Sequence, residues 1–180
     1  KRLGMDNVNL YLVHWPVKET YVSVWKKMEA VYKSGKAKAI GVSNYQTHHL
    51  ADLLEEAEII PAVNQIECYP YLSQAATIQY CLERNIRPEA WGPLGAGKSD
   101  ILTNPVITEI AKKRGLTPAQ VVLGWNLERE VIVIPKSIHK ERLTENLKCT
   151  DFELTDEDMT RISALNKNLR LGADPDHFNF

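Results

Sequence analysis

An α/β fold built on a parallel sheet, of the (β/α) barrel type, is predicted for this 180-residue chain by three observations. Short apolar runs alternate with stretches of helical periodicity, the order expected of a parallel sheet with helical crossovers. Polar residues fall at or just beyond the ends of successive runs, at His14, Ser43-Asn44, Gln65 and Glu67, Trp91-Gly92 and Lys136-Ser137. Barrel enzymes place their functional groups at the carboxyl ends of their strands. Helix boundaries are marked by Asn-Pro or Thr-Pro at the start and Gly at the end.

Residues 7–13 read as the first strand, and residues 19–34 as a helix that can bury Val22, Trp25, Met28, Ala30 and Val31 before Gly35 stops it. Residues 38–42 form a second strand ending in Ser43-Asn44, and residues 48–57 a helix with Leu50, Leu53 and Leu54 inward. Residues 62–67 are a third strand, followed by a helix to about Arg84 for which Ser73 is the expected N-cap. Residues 86–91 are assigned as a strand from their place in the alternation, since Pro88 and Glu89 suit a central strand poorly. Helices then start at Asn104-Pro105 and Thr117-Pro118. Residues 131–134 are apolar throughout, as expected of a parallel strand covered on both faces. Two more helices are expected over residues 139–148 and from Thr155, where Thr155-x-x-Asp158 forms a capping box with Asp in place of Glu.

Composition narrows the function classes. Charge is nearly balanced, with 22 basic and 23 acidic residues and a formal net charge of -1, so no general affinity for nucleic acid is expected. No apolar run approaches the roughly 20 residues of a membrane-spanning helix and no leader-like segment is seen, which makes a cytoplasmic protein the expectation. Cys68, Cys81 and Cys149 lack disulfide or zinc spacing and read as structural thiols. The chain opens on Lys1 close to a strand, and a start cut from a longer protein is the expectation.

One motif points elsewhere. Gly92-Pro93-Leu94-Gly95-Ala96-Gly97-Lys98-Ser99 satisfies the phosphate-loop pattern of ATP- and GTP-hydrolysing enzymes. Such a loop follows an apolar strand and opens directly into a helix whose amides meet phosphate. Here Pro88 and Glu89 precede it, and residues 100–103 separate it from the next helix start.

Five segments taken together, Leu10-Tyr11-Leu12-Val13-His14-Trp15-Pro16, Ile40-Gly41-Val42-Ser43-Asn44, Val63-Asn64-Gln65-Ile66-Glu67, Trp91-Gly92-Pro93-Leu94-Gly95 and Ile134-Pro135-Lys136-Ser137, resemble motifs of the aldo-keto reductases in family order. Trp91-Gly92 and Asp174-Pro175-Asp176 resemble the bacterial 2,5-diketogluconate-reductase-like branch. The resemblance implies reduction of an aldehyde or ketone by hydride transfer from NADPH. It makes His14 the catalytic hydrogen-bond donor to the carbonyl oxygen and Trp15 a wall of the substrate pocket.

Ser43, Asn44 and Gln65 would hold the nicotinamide carboxamide, and Trp91 would stack on its ring. Gly92, Pro93, Leu94, Gly95, Gly97 and Lys98 would follow the pyrophosphate, where glycine permits close backbone approach. Lys136, Ser137, Ile138, Arg142, Glu145 and Asn146 would hold the adenosine and its 2'-phosphate. Without the motifs, Asn44 reads as a helix cap and Gln65 as a partner for buried backbone.

The family's Tyr, Lys and Asp would lie ahead of Lys1, and Tyr11, Tyr45, Tyr69 and Tyr71 are outside the matching motif. A full barrel has eight strands and about 250 residues, whereas this chain offers roughly five strands. The expectation is therefore a single domain over residues 1–180. It would form the C-terminal portion of a (β/α)8 TIM barrel, about strands 4 to 8, with residues 166–180 a tail near the barrel mouth. The alternatives are a half-barrel that binds nucleotide or protein without catalysis, and a phosphate-loop nucleotidase.

Overall fold

The alternation of strand and helix is present in the computed structural model, which describes residues 4–178. The chain divides into two compact units interleaved along the sequence, the first of residues 1–66, 76–88 and 175–180, the second of residues 67–75 and 89–174.

Unit 1 carries β1 (Val8–Val13), α1 (Tyr21–Lys33), β2 (Ala37–Ser43), α2 (Thr47–Glu56) and most of β3 (Val63–Glu67) and α3 (Ala75–Leu82). Strand β1 runs parallel to β2, with Val8 opposite Ala37 and Val13 opposite Val42, and β2 runs parallel to β3, with Ser43 opposite Gln65. At the start of β4 (Arg87–Trp91), the Arg87 N–H donates to the Ala62 carbonyl at 3.0 Å. Gly41 permits the close approach of β2 and β3, because a Cβ there would lie 2.6 Å from the Val63 carbonyl oxygen. The core gathers Trp25, Ile40, Val42, Tyr45, Leu50, Leu53 and Cys81. The inward face of α1 differs from expectation at one position. Ala30 is exposed and Glu29 is buried, its Oε1 accepting from the Glu58 and Ile59 N–H groups at 2.8 and 2.9 Å. The carboxylate satisfies the backbone after α2, so burial follows hydrogen-bonding need rather than apolarity.

Unit 2 carries the end of β4, α4 (Pro105–Arg114), α5 (Pro118–Glu128), β5 (Ile132–Val133), α6 (Lys140–Leu147) and α7 (Asp156–Ser163). Glu89 and Ala90 of β4 pair in parallel with Ile132 and Val133, and the strand order of the sheet is β1-β2-β3-β4-β5. The sequence signals for these helices hold. Asn104 Oδ1 accepts from Val106 N–H at 2.9 Å, and Gly115 closes α4 at φ 67°, a left-handed conformation that glycine adopts without strain. Thr117 with Gln120, and Thr155 with Asp158, form capping boxes on α5 and α7. Trp125, buried with Val121, Val122 and Leu123, donates from Nε1 to Ser163 Oγ at 3.0 Å.

Two expectations require correction. The run over residues 131–134 gives a strand of only two residues, and Ile132 and Ile134 are 39% and 44% exposed rather than covered on both faces. Glu89 and Ala90 supply its paired edge, with the Ile134 N–H donating to the Ala90 carbonyl at 3.4 Å, and apolar character alone does not bring cover to both faces. Helix α3 starts at Ala75, so Ser73 is not its cap; Gln74 intervenes at φ 51°.

Candidate functional site

The residues singled out in the sequence fall in both units. In unit 1, His14 follows β1 directly and is exposed. Ser43 closes β2, and Asn44 leaves it at φ 64°, a region that Asn tolerates better than most side chains. The Asn44 N–H and Ser43 Oγ both donate to the Gln65 carbonyl, at 2.8 and 2.9 Å. Asn44 Nδ2 donates to the His14 carbonyl at 3.0 Å and to Ser43 Oγ at 3.2 Å. Thus the loops after β1 and β2 are tied to β3 through the residues the motifs single out. The capping position of α2 is Gln46, not Asn44. Trp15 is half-buried, its ring centroid 6.0 Å from His14 and 4.9 Å from Phe178.

In unit 2, Trp91 ends β4, and its carbonyl accepts from Cys68 N–H at 3.4 Å. Gly172 lies against its ring, since a Cβ at Gly172 would be 2.6 Å from Trp91 Cη2. That segment is fixed by Glu67, which is 1% exposed and accepts from the Leu171 and Gly172 N–H groups at 2.7 and 3.0 Å. Gly92, Gly95, Ala96 and Gly97 all have positive φ, and the Gly95 N–H donates back to the Gly92 carbonyl at 2.9 Å. Pro93 and Gly95 are buried, whereas Lys98 is exposed.

The loop does not open into a helix as a phosphate loop does. A short 3-10 turn over Gly95–Gly97 is followed by another over Ile101–Thr103, and α4 begins only at Pro105. Ser99 Oγ accepts from Ile101 N–H at 3.1 Å. This arrangement lacks the row of helix amides that a nucleotidase presents to phosphate.

Lys136, Ser137, Arg142, Glu145 and Asn146 line one hollow of about 360 Å³ together with Leu94 and Thr117. Glu145 is held there by Thr117 Oγ1, which donates to its Oε1 at 2.7 Å, while Gln120 Nε2 donates to its backbone carbonyl at 3.2 Å. Ser137 Oγ accepts from His139 N–H at 3.1 Å. Ile138 is 86% exposed. The donor set suits an adenosine 2'-phosphate: two cations and a hydroxyl for the phosphate, with a planar guanidinium, an amide and a carboxylate for adenine. Thr117 was read only as a helix cap; the fold makes it also the support of Glu145.

Cys68 and Cys81 do not compete as nucleophiles. Burial pushes the Cys68 and Cys81 thiols up to about 11, and both are enclosed.

The sequence matches the profile of the aldo/keto reductase family over residues 1–167. The chain belongs to the aldo/keto reductase family. It is 49% identical over 180 residues to the glyoxal reductase of Bacillus subtilis, covering 100% of this chain and 64% of that protein. Among solved structures it is similar to MGS-M4, an aldo-keto reductase from a Medee basin deep-sea metagenome, with a TM-score of 0.95, 40% identity and coverage of 99% of this chain and 66% of that one. It is also similar to a point mutant of Gox0644 in complex with NADPH, with a TM-score of 0.91, 42% identity and coverage of 97% and 65%. The chain thus spans just under two thirds of these relatives. Family membership leaves no place for the phosphate-loop reading of residues 92–99.

Proposed function

We propose that this chain serves NADPH-dependent reduction of an aldehyde or ketone to an alcohol, contributing His14 and the cofactor-binding residues. The observation that carries the reading is the hollow in which Lys136, Ser137, Arg142, Glu145 and Asn146 come together, with Glu145 pinned by Thr117. Bound NADPH supplies a hydride to the carbonyl carbon. Lys136, Ser137 and Arg142 hold its 2'-phosphate, with Glu145 and Asn146 at the adenine. Residues 92–98 follow the pyrophosphate, with Ile138 part of the same cofactor set. Asn44 and Gln65 orient the carboxamide with Ser43 beside them, and the bonds of Asn44 to the His14 carbonyl and Ser43 set that orientation before binding. Trp91 offers a flat surface to the ring. His14 donates to the carbonyl oxygen as negative charge builds there, and Trp15 walls the substrate.

None of the tyrosines of this chain is assigned the family's proton-donor role. Correspondence to about strands 4 to 8 of a (β/α)8 barrel, in one domain with residues 166–180 near its mouth, belongs to the same proposal. It is supported by five parallel strands and by the share of each relative that is matched. A cytoplasmic setting does too; among the described residues no helix is long and apolar enough to cross a membrane. The relative named glyoxal reductase makes small dicarbonyls the first substrates to try.

Cofactor titration by fluorescence tests the reading. NADPH binds more tightly than NADH, and Lys136→Ala weakens NADPH by about tenfold or more while sparing NADH, the worth of one charge-assisted hydrogen bond, whereas Arg142→Ala weakens both and NADPH the more. Equal affinities for the two cofactors would count against the assignment. Absence of NADPH oxidation by the full-length native protein with a panel of small aldehydes would sink the enzymatic reading. A native mass equal to that of these 180 residues would count against a start cut from a longer protein and favour a natural half-barrel.

A further inference from the structure

Asp176 meets two consecutive histidines in unit 1. His48 Nε2 lies 2.9 Å and His49 Nε2 3.3 Å from Asp176 Oδ1, while Gln46 Nε2 donates to Asp176 Oδ2 at 3.3 Å. The first three residues sit at the start of α2; Asp176 belongs to the tail, 130 positions from Gln46. Two residues beyond Asp176, the Phe178 ring packs 4.9 Å from Trp15. His48, His49, Asp176 and Phe178 line a hollow of about 510 Å³ with Lys18 and Tyr21.

Two imidazoles and a carboxylate with ligand atoms within 4.8 Å of one another have the composition of a transition-metal site. The tautomer of His49 argues against one. Its Nδ1 accepts from the Gln46 N–H at 3.2 Å, closing the capping box of α2. Nδ1 is then the bare nitrogen, so in the neutral ring Nε2 carries the proton and has no lone pair for a metal. A ring in that state is a donor, and the carboxylate before it is the matching acceptor. The arrangement is a clasp made of hydrogen bonds.

We propose that Asp176 is a positioning residue: clasped by Gln46, His48 and His49, it holds Phe178 against Trp15 and so sets the aromatic wall beside the carbonyl substrate. The link to substrate rests on the reductase reading; the clasp does not. Four constraints converge on this short stretch of tail, three polar groups on Asp176 and one ring on Phe178. Each polar contact is partly exposed, but loss of the carboxylate removes all three acceptor contacts at once.

Hydrogen exchange on the full chain tests the clasp. Asp176→Ala speeds amide exchange over residues 176–178 by about tenfold while α2 keeps its protection, and Asp176→Glu restores part of the loss. In turnover assays Asp176→Ala raises KM for an aldehyde more than it lowers kcat, the signature of lost substrate positioning. Exchange in Asp176→Ala that matches the unmodified chain would overturn the proposal. So would stoichiometric Zn²⁺ binding in calorimetry that disappears in Asp176→Ala, since the cluster would then be a metal site. Faster tail exchange without turnover on any aldehyde would leave the clasp standing and defeat the reductase reading instead.

Discussion

Gly172→Ala adds one methyl group where the structure has no room for it. The new Cβ would lie 2.6 Å from Trp91 Cη2, 3.2 Å from Trp91 Cζ2 and 3.2 Å from Glu67 Oε2. Carbon atoms in contact prefer about 3.5–4.0 Å, so either the indole or the tail backbone must move by roughly 1 Å. If the indole moves, a packed ring leaves its place, an overpacking cost of about 1–3 kcal/mol. If the tail lifts, the Leu171 and Gly172 N–H groups leave the buried Glu67 carboxylate. That route costs no less, because hydrogen bonds to a charged group contribute about 1.5–3 kcal/mol each. Losing two such bonds makes the tail route the costlier, so displacement of the indole sets the loss at about 1–3 kcal/mol, which for a domain of this size lowers Tm by about 2–4 °C per kcal/mol. The same displacement disturbs the surface proposed for the nicotinamide ring, so NADPH binding weakens with stability. Thermal unfolding and a cofactor titration on the same preparation check both effects. Unchanged Tm together with unchanged NADPH affinity would refute the packing argument, because a clash of this depth has no silent resolution.

Other perturbations follow from particular contacts. Asp158 is fully buried, and its Oδ2 accepts from Arg114 Nε at 2.5 Å and pairs with Arg114 Nη2. Arg114→Met strands that carboxylate and costs about 3–5 kcal/mol in urea denaturation, part of which returns when Asp158→Asn is added. Burial alone would raise the Asp158 pKa, but the Thr155 hydroxyl and Arg114 outweigh it and hold the group below the ordinary carboxylate value. The resulting stabilisation is present above the unfolded value of about 3.9 and is lost as pH falls through the folded one, and Arg114→Met diminishes this acid limb. Thr117→Val removes a helix cap and the anchor of Glu145, costing about 0.5–2 kcal/mol in stability and weakening NADPH and NADH alike, since both carry the adenine. His49 has its pKa lowered, first by burial and then by neighbouring His48, against the opposing pull of Asp176 and Asp52. The unfolded chain therefore binds more protons there, so stability falls as pH drops below about 6.5 and levels off once the folded imidazole is also charged. A pH series of melting curves shows this limb in the unmodified chain and not in His49→Gln.

How much of this was legible in the sequence depended on how local the cause was. The limits of α4 and the start of α5 followed from Asn104-Pro105, Gly115 and Thr117-Pro118, because caps act on neighbouring backbone and need no tertiary partner. Ser43, Asn44 and Gln65 were identified by motif, but the bond from Asn44 to the His14 carbonyl depends on the turn after β2 entering the left-handed region, which the letters do not encode. Residues 131–134 misled for the opposite reason: hydrophobicity reports what a residue would bury, not whether an element lies there to bury it. Ile132 and Ile134 remain exposed although both lie along β4, the Ile134 N–H still donating to the Ala90 carbonyl at 3.4 Å. The Asp176 clasp was beyond any window of sequence, since its parts lie at the start of α2 and in the tail and none has the spacing of a familiar motif. The same division separates the two kinds of residue in the candidate site. Most of the groups proposed to touch cofactor or substrate sit in short motifs at strand ends, whereas those that support them, Thr117 under Glu145 and Asp176 near Phe178, are drawn from distant parts of the chain. Substitutions at the second kind should therefore alter binding and specificity while the five strand-end segments stay intact.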